Sequence, residues 1–326
     1  MCIRDRYYDW RKEVRIEQDK VLKIDNYLGF NPALQSIKNL WDENNVAVIN
    51  GVGYPEPNRT HFPSIDIWHT GESVGIGDSG WLGRALKEID PKAENPIAGV
   101  NFGKGLPRAL SCRGVPVASV SDLENYGLFP DIQGQQSREL ALNAFSQIYG
   151  NAVAHDAVSQ FIGQTGIDAL KGADILNAAP ERYSSTIEYA NNSISHKLRS
   201  IAQIHQANLG TRVFYCDLGS FDTHADQLTT HGKLWTAASS AIQDFFEDLE
   251  EHDIADNVTM FLFSEFGRRV YDNGAGTDHG AAGICLAIGN QVQGGEYGQY
   301  PSMNCLLYTS DAADDTPCVD LGGRRI

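Results

Sequence analysis

The sequence predicts an α/β fold with a mainly parallel sheet, because short apolar segments alternate with amphipathic helical patterns along the chain. Three apolar segments stand out: VAVINGV (46–52), RVFYCDL (212–218) and VTMFLF (258–263). Each is almost continuously apolar and rich in β-branched or aromatic residues. This composition is typical of strands that are buried on both faces of a parallel sheet.

Helical patterns lie between these segments. Residues 31–44 begin with Asn31 as a candidate N-cap and carry an apolar face. Residues 233–252 carry a second apolar stripe, and residues 136–205 are predicted to be mostly helical, with a loop near 177–185. The chain shows no internal repeat and no Pro/Ser-rich linker, which favours a single domain.

Both ends of the chain resemble the translation of a sequencing adapter. These segments are MCIRDR (1–6) and CLLYTSDAADDTPCVDLGGRRI (305–326). Segments of this kind are set aside before the fold is considered. We therefore expect an adapter-derived segment over 1–6, a fragment of one domain over 7–304, truncated at both ends, and a second adapter-derived segment over 305–326.

Composition excludes several classes of function. A net charge of −16 argues against nucleic acid or an anionic membrane as the main partner. No apolar run approaches the roughly 20 residues of a membrane-spanning helix, so no membrane span is expected. Within 7–304 the cysteines Cys112, Cys216 and Cys285 are widely spaced, which predicts neither a disulfide framework nor a Cys-x-x-Cys site.

Polar residues accumulate in the loop that follows each apolar segment. Because ligands bind outside the carboxyl ends of parallel strands, we expect the loops 53–71, 219–231 and 264–280 to meet at one edge of the sheet. The side chains that this edge would hold are Thr60, His61, Asp222, His224, Asp226, His231, Glu265, Arg268, Arg269, Asp278 and His279.

This set of residue types is suited to a metal site that handles an anionic ester. Zinc accepts histidine nitrogen and aspartate oxygen as ligands. A pair of metal ions can hold the attacking and leaving oxygens of a displacement, and arginine binds phosphate or sulfate oxygens in a bidentate fork.

Each piece also has a purely structural interpretation. The segment GTDHG (276–280), taken alone, favours a polar turn. Asp222 is as suited to capping the next helix as to binding metal, and Asp226 is better suited to the helix. Glu265 can form a surface ion pair with the neighbouring arginines. The segment NFGKGLP (101–107) lacks phosphate-loop spacing and predicts a turn.

A set of ordered motifs resembles one bacterial family. The motifs are YYDWR, NRTHFPSIDIWHTG, GWLGR, GSFDTHADQ, SEFGRRVYDNGAGTDHG and GGEYGQYP. Together they resemble domain of unknown function 1501, which is similar to the alkaline phosphatase and sulfatase superfamily. The resemblance implies a three-layer α/β/α sandwich with a site like that of metallo-phosphatases, sulfatases and phosphoglycerate mutases.

The resemblance also implies metal ligands. GTDHG matches a superfamily motif that gives an aspartate and a histidine to one metal, which implies Asp278 and His279 as ligands. FDTH implies Asp222 and His224 for a second metal, although its spacing is tighter than the usual Asp-x-x-x-His. The expected cofactor is one or two divalent ions, with zinc first and manganese or calcium as alternatives.

The implied nucleophile lies at the start of the helix after the first apolar segment. Thr60 is the first choice for an attacking alkoxide, while His61 occupies the superfamily's threonine slot when counted back from HTG (69–71), and Ser64 is a third choice. Arg268 or Arg269 would hold the anionic ester.

The expected function is therefore metal-dependent hydrolysis of a small phosphate or sulfate ester. The alternatives are a non-catalytic exported binding protein on the same fold and a phosphomutase-like enzyme. The resemblance implies a periplasmic or secreted location.

Overall fold

The protein forms two compact units in a computed structural model, which describes residues 3–75, 77–123, 126, 135–150, 166, 169, 172–173, 175–177 and 179–300. Unit 1 comprises Met1–Trp68, Thr186–His196 and Leu218–Ile326, and unit 2 comprises His69–Ser185 and Lys197–Asp217. Residues 305–326 lie outside the described residues, so the boundaries expected from the adapter-like ends stay predictions.

Helices and strands are interspersed along the described chain, which confirms a mixed α/β protein. The helices are α1 Ile3–Trp10, α2 Gln35–Asp42, α3 His61–Thr70, α4 Trp81–Ile89, α5 Gln135–Gly150, α6 Ser193–Gln206 and α7 Gln227–Glu251. The strands are β1 Leu22–Lys23, β2 Gly29–Phe30, β3 Val46–Val52, β4 Gly99–Phe102, β5 Val117–Val120, β6 Val213–Cys216, β7 Met260–Leu262, β8 Arg268–Asp272, β9 Thr277–His279, β10 Gly283–Ile288 and β11 Gly295–Tyr297.

The main sheet of unit 1 is mixed, with the strand order β11-β3-β10-β7. Strand β10 runs antiparallel to both β3 and β7, so these two strands share one direction. Strand β11 pairs parallel to β3. Two of the three predicted apolar strands thus lie in this sheet, separated by an antiparallel strand that the sequence patterns did not single out.

Unit 1 buries the helical faces that periodicity predicts. Asn31 caps the turn before α2 by accepting a hydrogen bond from the backbone N–H of Ala33. On α7 the predicted stripe is buried, with Ala241, Phe245 and Leu249 at 0–2 % exposure. Each large apolar side chain removed from water in this way contributes about 2 kcal/mol.

Unit 2 contains a parallel sheet with the order β5-β4-β6, so the third predicted strand lies here. Leu86 of α4 packs against Ala98 and Leu110 beside this sheet. Within the predicted helical region 136–205, the structure describes α5, all of α6 but its last residue, several positions between 166 and 177, and residues 179–192. Residues 183–192 form no helix, so the loop predicted near 177–185 extends further toward α6 than expected. None of the described helices combines the length and the apolar character needed to cross a bilayer.

Candidate metal centre

A cluster of histidines and carboxylates lies wholly within unit 1. His61 is the first residue of α3, and Glu265 lies between β7 and β8. Asp222 and His224 belong to the segment that leads into α7, and the β8–β9 hairpin supplies a further arginine, aspartate and histidine. The cluster therefore draws on segments that are far apart in the sequence.

Glycine allows two of these segments to approach closely. A Cβ atom on Gly276 would lie only 2.2 Å from the carbonyl oxygen of Thr223. The backbone N–H of Thr277 donates to that same carbonyl at 3.2 Å. Strand β9 is thus bonded to the 222–224 segment, which explains why GTDHG needs its first glycine: any side chain there would push the segments apart.

Asp222 is the centre of the cluster. Its Oδ1 atom accepts from Arg268 Nη2 at 2.6 Å, and Oδ1 lies 2.9 Å from His279 Nε2 and 3.0 Å from His224 Nε2. Its Oδ2 atom lies 3.1 Å from His61 Nε2. Partial burial acts to raise the pKa of Asp222, but the contacts with His279, Arg268 and His61 outweigh it and hold the pKa well below its ordinary value.

The opposite nitrogen of each histidine ring faces an oxygen. The three pairs are His61 Nδ1 with Glu265 Oε1 at 2.7 Å, His224 Nδ1 with Asp278 Oδ1 at 3.2 Å, and His279 Nδ1 with the Arg59 carbonyl at 2.7 Å. Carbonyl and ionised carboxylate oxygens accept but do not donate, so each Nδ1 carries its proton. In the neutral rings, each Nε2 is then a lone pair that faces the Asp222 carboxylate.

Lone pairs that face one another are compensated by a metal cation between them or by added protons. His224 Nε2 lies 3.0 Å from His279 Nε2, and both lie beside an ionised carboxylate. Ligand atoms of His61, Asp222 and His279 all lie within 4.8 Å of one another. Nitrogen and carboxylate oxygen in this combination, with Nδ1–H anchored behind each ring, are typical of a divalent-metal site, so the residues fit such an ion.

Three further groups have pKa values that reflect the cluster. The hydrogen bond to Glu265 raises the pKa of His61 against the opposing effect of burial. For Asp278, burial acts to raise the pKa, but hydrogen bonds from Asn273 and His224 lower it. Both carboxylates that stand behind histidine rings therefore stay ionised, since the same contact with His61 also lowers the pKa of Glu265 against its burial.

The predicted nucleophiles have other partners. The Thr60 hydroxyl is exposed and donates to Asn58 Oδ1 at 2.6 Å. Ser64 is fully buried and shares a hydrogen bond of 2.8 Å with the Tyr54 hydroxyl. His61 instead joins the candidate ligands.

Arg268 also has fixed partners. Besides Asp222, its guanidinium donates to the carbonyls of Thr277 at 2.8 Å and Phe221 at 3.0 Å. Asp226 immediately precedes α7 and accepts from the Thr230 hydroxyl at 3.2 Å, as expected for a residue that serves the helix.

Sequence reasoning missed two groups of this site. Asn273 donates through Nδ2 to Asp278 Oδ1 at 3.2 Å and to the His224 carbonyl at 3.1 Å. It forms an Asn-Gly pair with Gly274 in the β8–β9 turn, and this hairpin signal was available in the sequence. The Arg59 carbonyl is a backbone group, so no residue type marked it.

The fold and the cluster define an α/β protein with a candidate His/Asp metal centre. A family model described as "Protein of unknown function (DUF1501)" matches residues 51–306, and the chain belongs to this family. The match covers every residue of the cluster. No curated protein and no solved structure matches the chain.

Proposed function

We propose that this protein is a metal-dependent hydrolase of phosphate or sulfate esters. One observation carries the proposal: the Nε2 atoms of three histidines face the Asp222 carboxylate, while an oxygen acceptor stands behind each Nδ1. A divalent cation is the ligand that satisfies these lone pairs together.

In this proposal the ion is held by His61, His224, His279 and Asp222. Zinc suits a set of imidazole nitrogens with one carboxylate oxygen, and manganese is the alternative with the same ligands. Asp278 stands behind His224 in this arrangement, rather than beside the ion. When bound, such an ion polarises an ester oxygen and activates water.

The surrounding residues support hydrolysis by water. The proton of the Thr60 hydroxyl is held by the amide oxygen of Asn58, which is not a base that would remove it. Arg268 balances the charge of Asp222 and orients it. The attacking oxygen then comes from water, its bond to phosphorus or sulfur forms as the ester bond breaks, and the alcohol leaves with a proton.

The finer fold belongs to the same proposal. We propose a three-layer α/β/α sandwich of the alkaline phosphatase type, which the mixture of helices and strands in each unit supports. In unit 1, strand β10 runs antiparallel to β3 and β7, so the sheet of this unit is not wholly parallel.

Metal content measured by elemental mass spectrometry tests the proposal. Asp222→Ala removes the carboxylate at the centre, and Asp226→Ala is the matched control, because it removes an aspartate four residues away that pairs with Thr230. We expect about one equivalent of zinc or manganese in the wild type and in Asp226→Ala. Asp222→Ala should lose the metal.

The metal-loaded protein is then tested on aryl phosphate, phosphodiester and sulfate substrates. Turnover that depends on the metal and disappears in Asp222→Ala supports the hydrolase. Metal-free wild-type protein would overturn the proposal. Bound metal without turnover on any of these esters would favour the non-catalytic binding protein.

A further inference from the structure

We infer that Glu265 is a positioning residue that holds the His61 ring with its Nε2 atom toward Asp222. The inference rests on the proposed metal centre and adds a second layer to it. Glu265 does not face the cluster's centre itself: its Oε1 atom lies 2.7 Å from His61 Nδ1, on the far side of the ring.

Glu265 is anchored through both its carboxylate and its backbone. Its Oε2 atom accepts from the Ser264 hydroxyl at 3.0 Å, and its backbone carbonyl accepts from Trp68 Nε1 at 2.9 Å. The side chain is 22 % exposed, compared with 40 % for His61. A carboxylate anchored in this way defines one orientation for the ring that donates to it.

His61 depends on this contact more than the other two histidines do. His224 and His279 sit on segments that are bonded to each other through the backbone of Thr223 and Thr277. His61 comes from a separate helix, and its ring is hydrogen-bonded to Glu265 and Asp222. The ring also packs against Phe266 and His279, at 5.2 and 4.5 Å between centroids, but such packing does not distinguish one ring nitrogen from the other.

Loss of Glu265 should therefore free both the tautomer and the orientation of His61. A neutral imidazole without a partner at Nδ1 can carry its proton on either nitrogen. Carboxylates that orient a metal-binding histidine are typically worth roughly 10–100-fold in metal affinity. We expect a loss of that size even though Glu265 contributes no ligand atom.

The experiment is a competitive zinc titration of the full chain as wild type, Glu265→Ala, Glu265→Gln and Glu247→Ala. Glu247 is the matched control, because it is an exposed glutamate of α7 in the same unit, and it accepts from Gln243 rather than from histidine. We expect the zinc Kd to rise about 10–100-fold in Glu265→Ala. Glu265→Gln should recover part of the affinity because its amide oxygen still accepts from Nδ1. Glu247→Ala should match the wild type.

A second readout does not need the metal. Long-range ¹H–¹⁵N spectra of the metal-free protein in alkaline buffer, with His61 assigned through His61→Asn, report which ring nitrogen carries the proton. We expect the Nδ1–H tautomer in the wild type and a mixture in Glu265→Gln.

The two proposals fail differently. If the wild type binds no zinc, the hydrolase proposal fails, while the spectra still test Glu265. An Nε2–H tautomer in the wild type, or zinc affinity that is unchanged in folded Glu265→Ala, would overturn the role of Glu265.

Discussion

Two polar clusters of this protein follow strands, and they differ in how their hydrogen bonds are matched. In unit 2, Asn101 at the end of β4 donates to the Gly105 carbonyl at 2.7 Å and to Ser119 Oγ at 2.8 Å. The Ser119 hydroxyl donates in turn to the Gly105 carbonyl, so both side-chain donors meet acceptors and the cluster closes the 103–105 bend. In unit 1, Arg268 donates to Asp222, but neutral histidine rings with the proton on Nδ1 turn their Nε2 lone pairs toward one another and toward the Asp222 carboxylate.

The difference separates a structural cluster from a candidate functional one. Polar residues are costly to bury, so a cluster that only stabilises a loop pairs its donors with acceptors. A cluster whose lone pairs converge is stable when a cation or added protons compensate them. The converging lone pairs around Asp222, rather than the mere presence of polar residues, therefore distinguish the site in unit 1.

The largest effect is expected for His279→Ala. The ring contributes Nε2 to the cluster and is anchored on the Arg59 carbonyl, so its loss removes a ligand from a small set. We expect zinc affinity to fall by at least about 100-fold, beyond the range for an orienting residue. Isothermal titration measures it. A Kd within tenfold of the wild type would indicate that the cluster in unit 1 is structural, like the Asn101 cluster of unit 2.

Asn101→Ala should lower the stability of the protein without changing its metal affinity. The side chain is 3 % exposed and donates twice, so its removal deletes both hydrogen bonds from the bend, where the Gly105 carbonyl keeps its bond from the Ser119 hydroxyl. We expect the free energy of unfolding to fall by about 1–3 kcal/mol, as measured by urea denaturation. Zinc affinity should stay unchanged. A loss of zinc binding in this variant would contradict a purely structural role for the Asn101 cluster.

A smaller effect involves pH and His231. Burial, with the positive charges of Arg11 and Arg268, lowers the pKa of His231 to about 4. The neutral ring accepts from Trp235 Nε1 at 3.1 Å. In the unfolded chain a histidine titrates at about 6.5, so the unfolded state takes up the proton first as the pH falls.

The stability that His231 contributes is thus complete above about pH 6.5 and is lost as the pH falls toward 4, by about 1 kcal/mol per pH unit. Urea denaturation at several pH values measures this slope. In His231→Gln the slope should be shallower than in the wild type. An equal slope in the two proteins would show that other groups dominate the acid range.

The smallest effect is expected for Thr60→Ala. Its hydroxyl pairs with Asn58 and is exposed, so neither metal affinity nor stability should change by more than about twofold or 0.5 kcal/mol. Turnover should persist if water is the nucleophile. Loss of turnover with intact metal binding would restore Thr60 as the attacking group.

Much of the local structure follows from sequence patterns. The segment 46–52 is β3 with the predicted bounds, and the stripe on α7 is buried. The order and direction of strands does not follow, because β10 pairs between β3 and β7 through long-range contacts that no local pattern encodes.

For the candidate site, too, the sequence predicts part of the structure and tertiary packing determines the rest. Residue types predicted that His61, Asp222, His224, Asp278 and His279 would meet, and the structure brings them together. Which of them would bind the ion and which would orient a ring depends on the direction of each side chain. Direction follows from tertiary packing, as the Arg59 carbonyl behind His279 illustrates.

The position of unit 2 in the sequence has a consequence for assembly of the cluster. All of its residues, 69–185 and 197–217, lie between His61 and Asp222. Bringing His61 to Glu265 therefore closes a loop of 204 residues. The entropy lost in closing a flexible loop grows with its length, and a folded insert acts as a shorter tether. Unit 2, whose described residues supply no side chain to the cluster, thus lowers the entropic cost of completing it. Zinc uptake after dilution from urea would report the moment when the whole chain has folded.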